Sequence, residues 1–395
     1  MPRSTKSTST TASKSSGFSF LDLDKELSKI DGFETGSILS ENTFSEVDEW
    51  IPTGNYLLNA QLSGSLFGGI PNTRSLGLMG DPGTGKSFVC LNVAREAQKK
   101  GYDVIYCDTE GAIDKTSAIK FGIDPDKIRY QPIKTVSQFQ TFVANLLEIV
   151  KKNKSGNPKI LLVLDSLGML STDKELNDAI EGKNAADMGA KAKELRKLFR
   201  VITLDLTAAK IPLICTNHVY AGGGFFPTKE SSGGDGPIFA MSVISFLSKA
   251  QLKEGSGTTK TGIVVTSNLK KSRFTIPDPI KFHISWMNGM NPYVGLQDYV
   301  SWESCGIDRG KLEEVKKSDG GTELVFTPNA SSPRWAVKHL GKTVPSTQLF
   351  TPEVFTEDVL RQLDENVIKP KFILPDLVDA KEIYQAIEAE EDGEE

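Results

Sequence analysis

One short loop constrains the fold of this chain more than any other feature. Residues 80–87 read GDPGTGKS and fit the phosphate-loop pattern GxxxxGK followed by Ser or Thr, between an apolar run at 75–79 and an amphipathic segment. In such a context the glycines allow consecutive backbone N–H groups to turn toward one anion at the start of a helix. We predict that Lys86 contacts the β- and γ-phosphates of a nucleotide and that the Ser87 hydroxyl binds Mg²⁺. The predicted nucleotide-binding residues are Gly80, Asp81, Pro82, Gly83, Thr84, Gly85, Lys86, Ser87 and Phe88.

Carboxylates follow two other apolar runs. Asp165 comes directly after the run 160–164, and Glu110 lies shortly after the run 104–107. Because the carboxyl ends of parallel strands meet at one edge of a sheet, we expect both acids near the phosphate loop. Asp165 is predicted to anchor the metal, and the alternative is a helix-capping Asp. Glu110 is predicted to orient the attacking water; Asp108 is its rival, because spacing alone does not separate the two.

The order of these patterns predicts an α/β fold. Short apolar runs alternate with segments of helical periodicity, which indicates a mainly parallel central sheet with helices on both faces. The runs are continuously apolar, as expected for strands that are buried on both faces. The predicted strands are 75–79, 104–107, 160–164 and 211–216, and the predicted helices begin near Lys86, Val136 and Asp187.

Composition sets the ends of the chain apart from its middle. Residues 1–17 hold ten Ser or Thr and no acid, which predicts a disordered tail, whereas residues 376–395 hold nine acids and one Lys and form an acidic tail. The formal charge of -5 argues against polyanion binding over the whole surface but permits a local basic groove. We find no run of 18 apolar residues and no secretory signal pattern, so we expect a cytoplasmic protein without a membrane partner.

Four segments together resemble the RecA family of homologous recombination ATPases, most closely its UvsX-type branch in tailed bacteriophages. They are residues 80–87, 108–110, 164–166 and 216–218, and the likeness extends from about Ile51 to Leu296. The resemblance implies a RecA-like P-loop ATPase core with a mainly parallel central sheet, a small N-terminal segment and a small C-terminal domain. We assign 18–50 to an N-terminal oligomerisation segment, 51–300 to the ATPase core with its DNA-binding loops, and 301–375 to a C-terminal domain.

The resemblance also implies an activity. Proteins of this family are DNA-dependent ATPases that form helical filaments on single-stranded DNA, with ATP and Mg²⁺ between adjacent subunits, and catalyse homologous pairing and strand exchange in recombination and repair. By position, Lys86 and Ser87 contact phosphate and Mg²⁺, Glu110 the water and Asp165 the metal. His218 stands where bacterial members have a Gln that senses the γ-phosphate; its titration would make this coupling sensitive to pH. The alternative is a buried His that is bonded to backbone.

Residues of the neighbouring subunit are expected to complete the site. The family's two basic residues that act across the interface correspond best to Lys271 and Arg273, just after the predicted strand 262–267, and the alternative is a solvated basic turn. Phe44 corresponds to an aromatic that docks onto the next subunit. Near Ser117 the family places an aromatic that stacks on adenine, and this chain has none there.

A glycine-rich stretch at 220–236 is predicted to contact DNA. Loops of this length inside a compact domain are usually functional or disordered, and this one matches the family's second DNA loop. Adjacent phenylalanines offer faces for bases, Lys229 can meet phosphate, and glycines permit close backbone approach. The alternative is a flexible hairpin. The residues expected to contact DNA here are Phe225, Phe226, Lys229, Gly233 and Gly234.

The first DNA loop of the family would lie at about 170–187, where Asp173, Glu175, Asp178 and Glu181 make it unusually acidic for phosphate contact. The helix that follows carries a buried stripe at Met188, Ala192, Leu195, Phe199 and Ile202, with basic residues on the remaining surface. Lys193 and Arg200 occupy the family's DNA-contacting positions; the alternative is a solvated face of the helix.

Two other activities share parts of this pattern. A hexameric RecA-core helicase would use the same phosphate chemistry but close into a ring, and a nucleotide-switched scaffold would hydrolyse little ATP. Glu110 weighs against the scaffold, since a scaffold needs no residue to orient water. The expected partners are single- and double-stranded DNA, other copies of the chain, a single-strand-binding protein and a recombination mediator, inside a bacterial host if the gene is carried by a phage.

Overall fold

The computed structural model describes residues 19–30, 36, 39, 44–153, 156–183, 189–221, 229–231, 240–253, 259–318 and 321–375. The chain divides into two compact units, Met1–Glu46 and Val47–Glu395. In the described part of the first unit, Phe20–Leu27 form helix α1. The strands and the further helices given below belong to the second unit.

Short apolar runs form the strands, as the sequence predicts. The four predicted strands are present, and their ends differ from the predicted ones by at most two residues, while a further set of antiparallel strands follows residue 240. The strands are β1 Trp50–Ile51, β2 Ile70–Pro71, β3 Ser75–Gly80, β4 Asp103–Asp108, β5 Ile128–Pro132, β6 Ile160–Asp165, β7 Leu213–Asn217, β8 Val219–Ala221, β9 Lys229–Ser231, β10 Val243–Lys253, β11 Lys260–Lys271, β12 Ile280–Ser285, β13 Gly289–Met290, β14 Ile307–Lys316, β15 Thr322–Pro328, β16 Arg334–Val337 and β17 Lys342–Pro345.

The helices of the second unit flank and follow these strands. Side chains cap several of their amino ends: the Asn55, Asp114, Thr135 and Thr172 side chains accept from backbone N–H groups in the first turn. The helices are α2 Tyr56–Ser63, α3 Lys86–Lys99, α4 Lys115–Lys120, α5 Val136–Lys152, α6 Asp173–Ile180, α7 Ala190–Ala208, α8 Trp302–Cys305, α9 Glu357–Leu363 and α10 Lys369–Phe372, with a π-helical turn at Asp364–Ile368 between the last two.

A nine-stranded sheet forms the centre of the described structure, in the order β13-β12-β11-β10-β3-β7-β6-β4-β5. The strands from β10 to β5 run parallel to one another, and β11 to β13 continue the sheet with antiparallel pairing. Every residue of β6 is buried, because helices cover both faces of the sheet. The predicted α/β fold with a mainly parallel sheet is confirmed.

A smaller antiparallel sheet, in the order β15-β14-β16-β17, lies in the carboxyl-terminal part of the described chain. Trp335 and Val337 of β16 are buried in the same apolar cluster as Phe355 and Phe372. Residue 300 lies inside the second compact unit, with no unit boundary there. The proposed domain limits at 300 and 375 therefore stay predictions.

Three local expectations from the sequence differ from the structure. Helix α7 begins at Ala190, and residues 187 and 188 lie outside the described residues. The segment expected to be a loop at 170–187 contains helix α6, which Thr172 and Glu175 start with a reciprocal capping box. Lys191 is one of the basic residues expected on the surface of α7, but it is half-buried and donates to the Gly168 carbonyl at 2.6 Å.

Candidate nucleotide-binding site

The phosphate loop joins the buried strand β3 to helix α3. Gly83 and Gly85 have φ of +73° and +91°, a region that residues with a side chain rarely adopt. Their conformations let the chain reverse and enter α3 with its first N–H groups free for an anion. The predicted strand, loop and helix are all present. The loop therefore has the geometry of a phosphate cradle.

Lys86 is the buried cation of this loop. It is 6% exposed, and its Nζ donates to the carbonyls of Gly80 at 2.9 Å and Asp81 at 3.1 Å. Burial lowers the pKa of Lys86, and the nearby carboxylates of Asp165 and Glu110 oppose that shift. Ser87, by contrast, is exposed at the amino end of α3. The two residues thus lie where a phosphate and its metal ion would meet.

Asp165 ends strand β6 beside the phosphate loop. Its Oδ2 accepts a hydrogen bond of 2.7 Å from the Tyr106 hydroxyl, and its Oδ1 accepts from the Thr216 hydroxyl. These donors come from the neighbouring strands β4 and β7, so three strand ends fix one carboxylate. Asp165 does not cap a helix, because neither oxygen accepts a described backbone N–H bond. Tyr106 and Thr216 were missed by sequence reasoning, since each reads as an ordinary strand residue.

Asp108 and Glu110 have different surroundings. Asp108 is 3% exposed, and its carboxylate accepts from the backbone N–H groups of Glu110, Gly111 and Ile113 at 2.8, 2.9 and 3.2 Å. Its oxygens therefore hold the turn after β4. Glu110 is 38% exposed at the side chain and faces the site. Of the two acids, Glu110 is the one with an accessible carboxylate.

Two side chains hold the Glu110 carboxylate. The Ser166 hydroxyl donates to Oε1 at 3.0 Å, and His218 Nε2 lies 3.4 Å from the same oxygen. Ser166 is almost fully buried, and Thr109 fixes its backbone through a bond of 2.7 Å from Ser166 N to the Thr109 hydroxyl. His218 Nδ1 is buried without a hydrogen-bond partner in the described structure. This histidine is therefore bound to a carboxylate rather than to backbone through its ring.

Lys271 and Arg273 lie at the other edge of the central sheet. β10 runs parallel to β3 and begins beside Leu76, while Lys271 pairs with Ile244 at the start of β10. The expected turn is thus the end of a strand, since β11 continues to Lys271 instead of stopping near residue 267. The length of β3, roughly 20 Å for six residues at about 3.3 Å each, separates this edge from the phosphate loop.

Arg74 is a further cation of this edge that sequence reasoning missed. It directly precedes β3. Burial lowers the pKa of Arg74, and the charge of Arg273 lowers it further; the same two causes lower the pKa of Lys271. The three side chains therefore form one cationic cluster on the edge opposite the phosphate loop.

The predicted DNA contacts are described only in part. Lys193 and Arg200 are both exposed on α7. Residue Lys229 belongs to β9, which pairs with β8 directly after His218. Phe44 is half-buried in the first unit. The predictions for Phe225, Phe226, Gly233 and Gly234 lie outside the described residues.

An exposed aromatic residue lies at the turn between β12 and β13. Trp286 is 64% exposed, and its backbone N–H donates to the Thr261 carbonyl at 2.9 Å. Phe88 of the phosphate-loop helix reaches this turn, since a Cβ atom built on Gly289 would lie 3.5 Å from its ring. In the sequence, this exposed aromatic residue is indicated only by a tryptophan within a polar stretch. Trp286 is thus an exposed aromatic residue, whereas residues 113–118 contain none.

The residues present fit a magnesium ion that is shared with a nucleotide. Among the described residues, no cluster of three His, Cys, Asp or Glu side chains with metal-binding geometry occurs. Mg²⁺ commonly uses only one or two protein oxygens and takes its other ligands from phosphates and water. The exposed Ser87 hydroxyl and the Asp165 carboxylate provide such oxygens.

Among the described residues, no helix has the length and apolar character needed to span a bilayer.

The sheet order and the loop after β3 define a P-loop nucleotide-binding protein with a RecA-like core. A family model described as the RecA N-terminal domain matches residues 22–290, and the chain belongs to this family. It is 29% identical over 271 residues to the "Recombination and repair protein" of Enterobacteria phage T4. The matched region covers 67% of this chain and 66% of that protein. It is 28% identical over 267 residues to "Protein RecA" of Fusobacterium nucleatum, with 66% of each chain covered, and 29% identical over 300 residues to "Protein RecA" of Paenarthrobacter aurescens, with 74% and 80% covered. The matched part thus spans about two thirds of the length of the first two relatives.

Proposed function

We propose that this protein is a DNA-dependent ATPase that forms helical filaments on single-stranded DNA and catalyses homologous pairing and strand exchange in recombination and repair. The observation that carries the proposal is the meeting of Lys86, Asp165, Glu110 and His218 at one edge of the central sheet. Family membership and the printed names of the relatives, which refer to recombination and repair, support it. The chain leads from His218 directly into the glycine-rich stretch.

The phosphate loop binds and orients ATP in this proposal. Its N–H groups at the start of α3 and the Lys86 ammonium neutralise the β- and γ-phosphates. Glu110 holds the attacking water, because its carboxylate is accessible while that of Asp108 is engaged with backbone N–H groups. Ser87 and Asp165 hold Mg²⁺, which supplies charge neutralisation at the phosphates when bound. Trp286 offers a face to the base, in place of the aromatic that is missing near Ser117.

His218 couples the nucleotide to DNA. It lies on the chain between the strand end of β7 and the first residues of the DNA loop, and its ring touches Glu110. A γ-phosphate competes with Glu110 for the Nε2 hydrogen. A change of partner by His218 thereby moves both the water-orienting carboxylate and the start of the loop.

Lys271 and Arg273 act on the ATP of a neighbouring copy. Their position on the opposite edge of the sheet, one strand length away from the copy's own phosphate loop, supports an action in trans. A head-to-tail arrangement brings this edge of one copy to the phosphate loop of the next, and such a heterologous contact generates a helical filament when it does not close. Phe44 is the proposed anchor of the same interface.

DNA is bound along the exposed basic face of α7 and the loop that follows β8. Lys193, Arg200 and Lys229 meet backbone phosphates, and Phe225 and Phe226 stack on or between bases. Gly233 and Gly234 allow the backbone of the loop to approach the strand. Two acids of the proposed first DNA loop have local roles: Glu175 forms the capping box of α6 with Thr172, and Asp173 accepts from the Ser137 hydroxyl at 2.7 Å. A single-strand-binding protein and a recombination mediator are the proposed protein partners.

The deciding experiment measures ATP hydrolysis with and without single-stranded DNA and images the same samples by negative-stain electron microscopy. We expect strong stimulation together with helical filaments, and joint-molecule formation when homologous duplex is added. The Lys86→Ala variant is the control for contaminating ATPases. DNA-stimulated ATP hydrolysis together with closed rings would favour the helicase. ATP hydrolysis at the same rate with and without DNA would favour the scaffold.

A further inference from the structure

The phosphate loop is held from outside by a lysine of the neighbouring strand. Lys249 Nζ donates to the Pro82 carbonyl at 2.8 Å. The sheet register explains the contact: β10 pairs in parallel with β3, Leu247 lies opposite Gly80, and Lys249 is two residues further along. Its side chain therefore lies beside the loop just after β3 ends.

Carbonyl groups of the phosphate loop accept hydrogen bonds from side chains. When consecutive N–H groups converge on an anion, several carbonyls must point away from it. The Thr84 hydroxyl donates to the Asp81 carbonyl at 2.9 Å, and Lys86 donates to the carbonyls of Gly80 and Asp81. The Pro82 carbonyl receives its donor from Lys249. Lys249 is thus the one donor in this set that lies outside the loop's own sequence.

Gly83 lies next to the Lys249 ammonium group. A Cβ atom at Gly83 would lie 2.7 Å from Lys249 Nζ, and the residue has φ of +73°. The left-handed turn at Gly83 therefore lies directly beside the Lys249 ammonium group.

We propose that Lys249 is a positioning residue of the phosphate site. Its ammonium group holds the Pro82 carbonyl outward and so keeps the loop's N–H groups turned toward the phosphates. This support persists when Lys86 exchanges its two carbonyl partners for phosphate. The inference rests on the proposed ATP site, and it assigns to Lys249 a role in nucleotide affinity that requires neither DNA nor a neighbouring copy.

The test uses the full-length protein without DNA and compares three variants. Lys249→Met removes the donor, Lys249→Arg retains one, and Lys253→Met is the matched control, since Lys253 is an exposed lysine of the same strand. ADP affinity is measured by displacement of a fluorescent nucleotide, and hydrogen exchange of the loop amides at residues 80–85 is measured without nucleotide. Thermal unfolding checks that all variants are folded.

We expect Lys249→Met to weaken ADP binding by about tenfold, the usual effect of losing one charge-assisted hydrogen bond, and to speed exchange of the loop amides. Lys249→Arg should recover most of the affinity, and Lys253→Met should behave as wild type. Unchanged affinity and exchange in Lys249→Met would overturn the inference, as would an equal loss in Lys249→Arg. If the wild-type protein itself binds no ADP, the proposed function fails instead.

Discussion

His218 Nε2 lies 3.4 Å from Glu110 Oε1, so the residue that leads into the glycine-rich stretch touches the carboxylate beside the phosphate loop. Ser166 donates to the same oxygen from the opposite strand end. One carboxylate oxygen thus connects β4, β6 and β7. Any ligand that draws His218 away changes the surroundings of Glu110 directly.

This contact predicts that His218 governs stimulation by DNA more than nucleotide affinity. We expect His218→Ala to lose most of the DNA-stimulated increase in ATP hydrolysis, at least about tenfold, while ADP affinity changes little. His218→Gln should retain stimulation, because a Gln amide can donate the same hydrogen bond. The measurement is kcat with and without single-stranded DNA. Equal stimulation in His218→Ala would exclude the coupling role.

Glu110 and Asp108 are predicted to fail in different ways. Glu110→Gln should lower kcat by about 10²- to 10⁴-fold with unchanged unfolding temperature, as expected for a group that orients the reacting water. Asp108→Asn should mainly lower stability, by roughly 1–3 kcal/mol, because it weakens the buried acceptor that holds the backbone N–H groups of the turn after β4. Steady-state kinetics and thermal unfolding of both variants check this. A stable, inactive Asp108→Asn beside an active Glu110→Gln would reverse the assignment.

Mixing two inactive variants tests action across the subunit interface. Lys86→Ala lacks its own phosphate contact, and Lys271→Ala lacks the cation offered to its neighbour; we expect each alone to be nearly inactive on DNA. In an equal mixture, about a quarter of the head-to-tail interfaces combine an intact Lys86 with an intact Lys271, so hydrolysis should partly return. If the mixture stays as inactive as its components, Lys271 does not act in trans.

The two phenylalanines of the glycine-rich stretch are predicted to bind bases. Phe225→Ala combined with Phe226→Ala should weaken single-stranded DNA binding by about 1–3 kcal/mol for each stacked base that is lost. Nucleotide affinity should remain, because the phosphate loop is untouched. Fluorescence anisotropy with a labelled oligonucleotide measures the change at fixed salt. Undiminished DNA affinity would remove these residues from the DNA site.

Asp48 makes stability depend on pH. It accepts hydrogen bonds from Lys210 and Asn72, and these bonds, the one from Lys210 first, lower the pKa of Asp48 below its ordinary value of 3.8. A lowered carboxyl pKa stabilises the fold above pH 3.8, and this contribution disappears as the pH falls through the folded-state pKa.

Asp48→Asn should therefore unfold at a lower temperature near neutral pH, and its difference from wild type should shrink under acid. Because the Asp48 side chain is 52% exposed, we expect about 1 kcal/mol or less after solvent screening. Thermal unfolding from about pH 7 to about pH 3 measures the difference, with Asp103→Asn as an exposed control. A difference that grows as the pH falls would contradict the sign.

The sequence predicts the sheet edge that carries the phosphate site far better than its surroundings. Continuous apolar runs followed by Gly80, Asp108 and Asp165 fix the strand ends, because period and polarity change sharply there. The donors to Asp165 and Glu110 could not be predicted, since Tyr106, Thr216 and Ser166 are near one another only after distant strands pair. The sequence contains the capping-box pattern at Thr172, which marks the start of helix α6. The acids around it suggest a loop when this pattern is not taken into account.

Under the proposed function, the placement of the phosphate loop and the Arg74, Lys271 and Arg273 cluster on opposite edges gives each copy two unlike halves of two separate sites. In a row of copies, the first has cations without ATP beside them, and the last has ATP without cations. Under the proposed function, the two terminal subunits therefore differ in chemistry. Growth and loss of subunits will then proceed at different rates at the two ends, and turnover per subunit will rise with filament length.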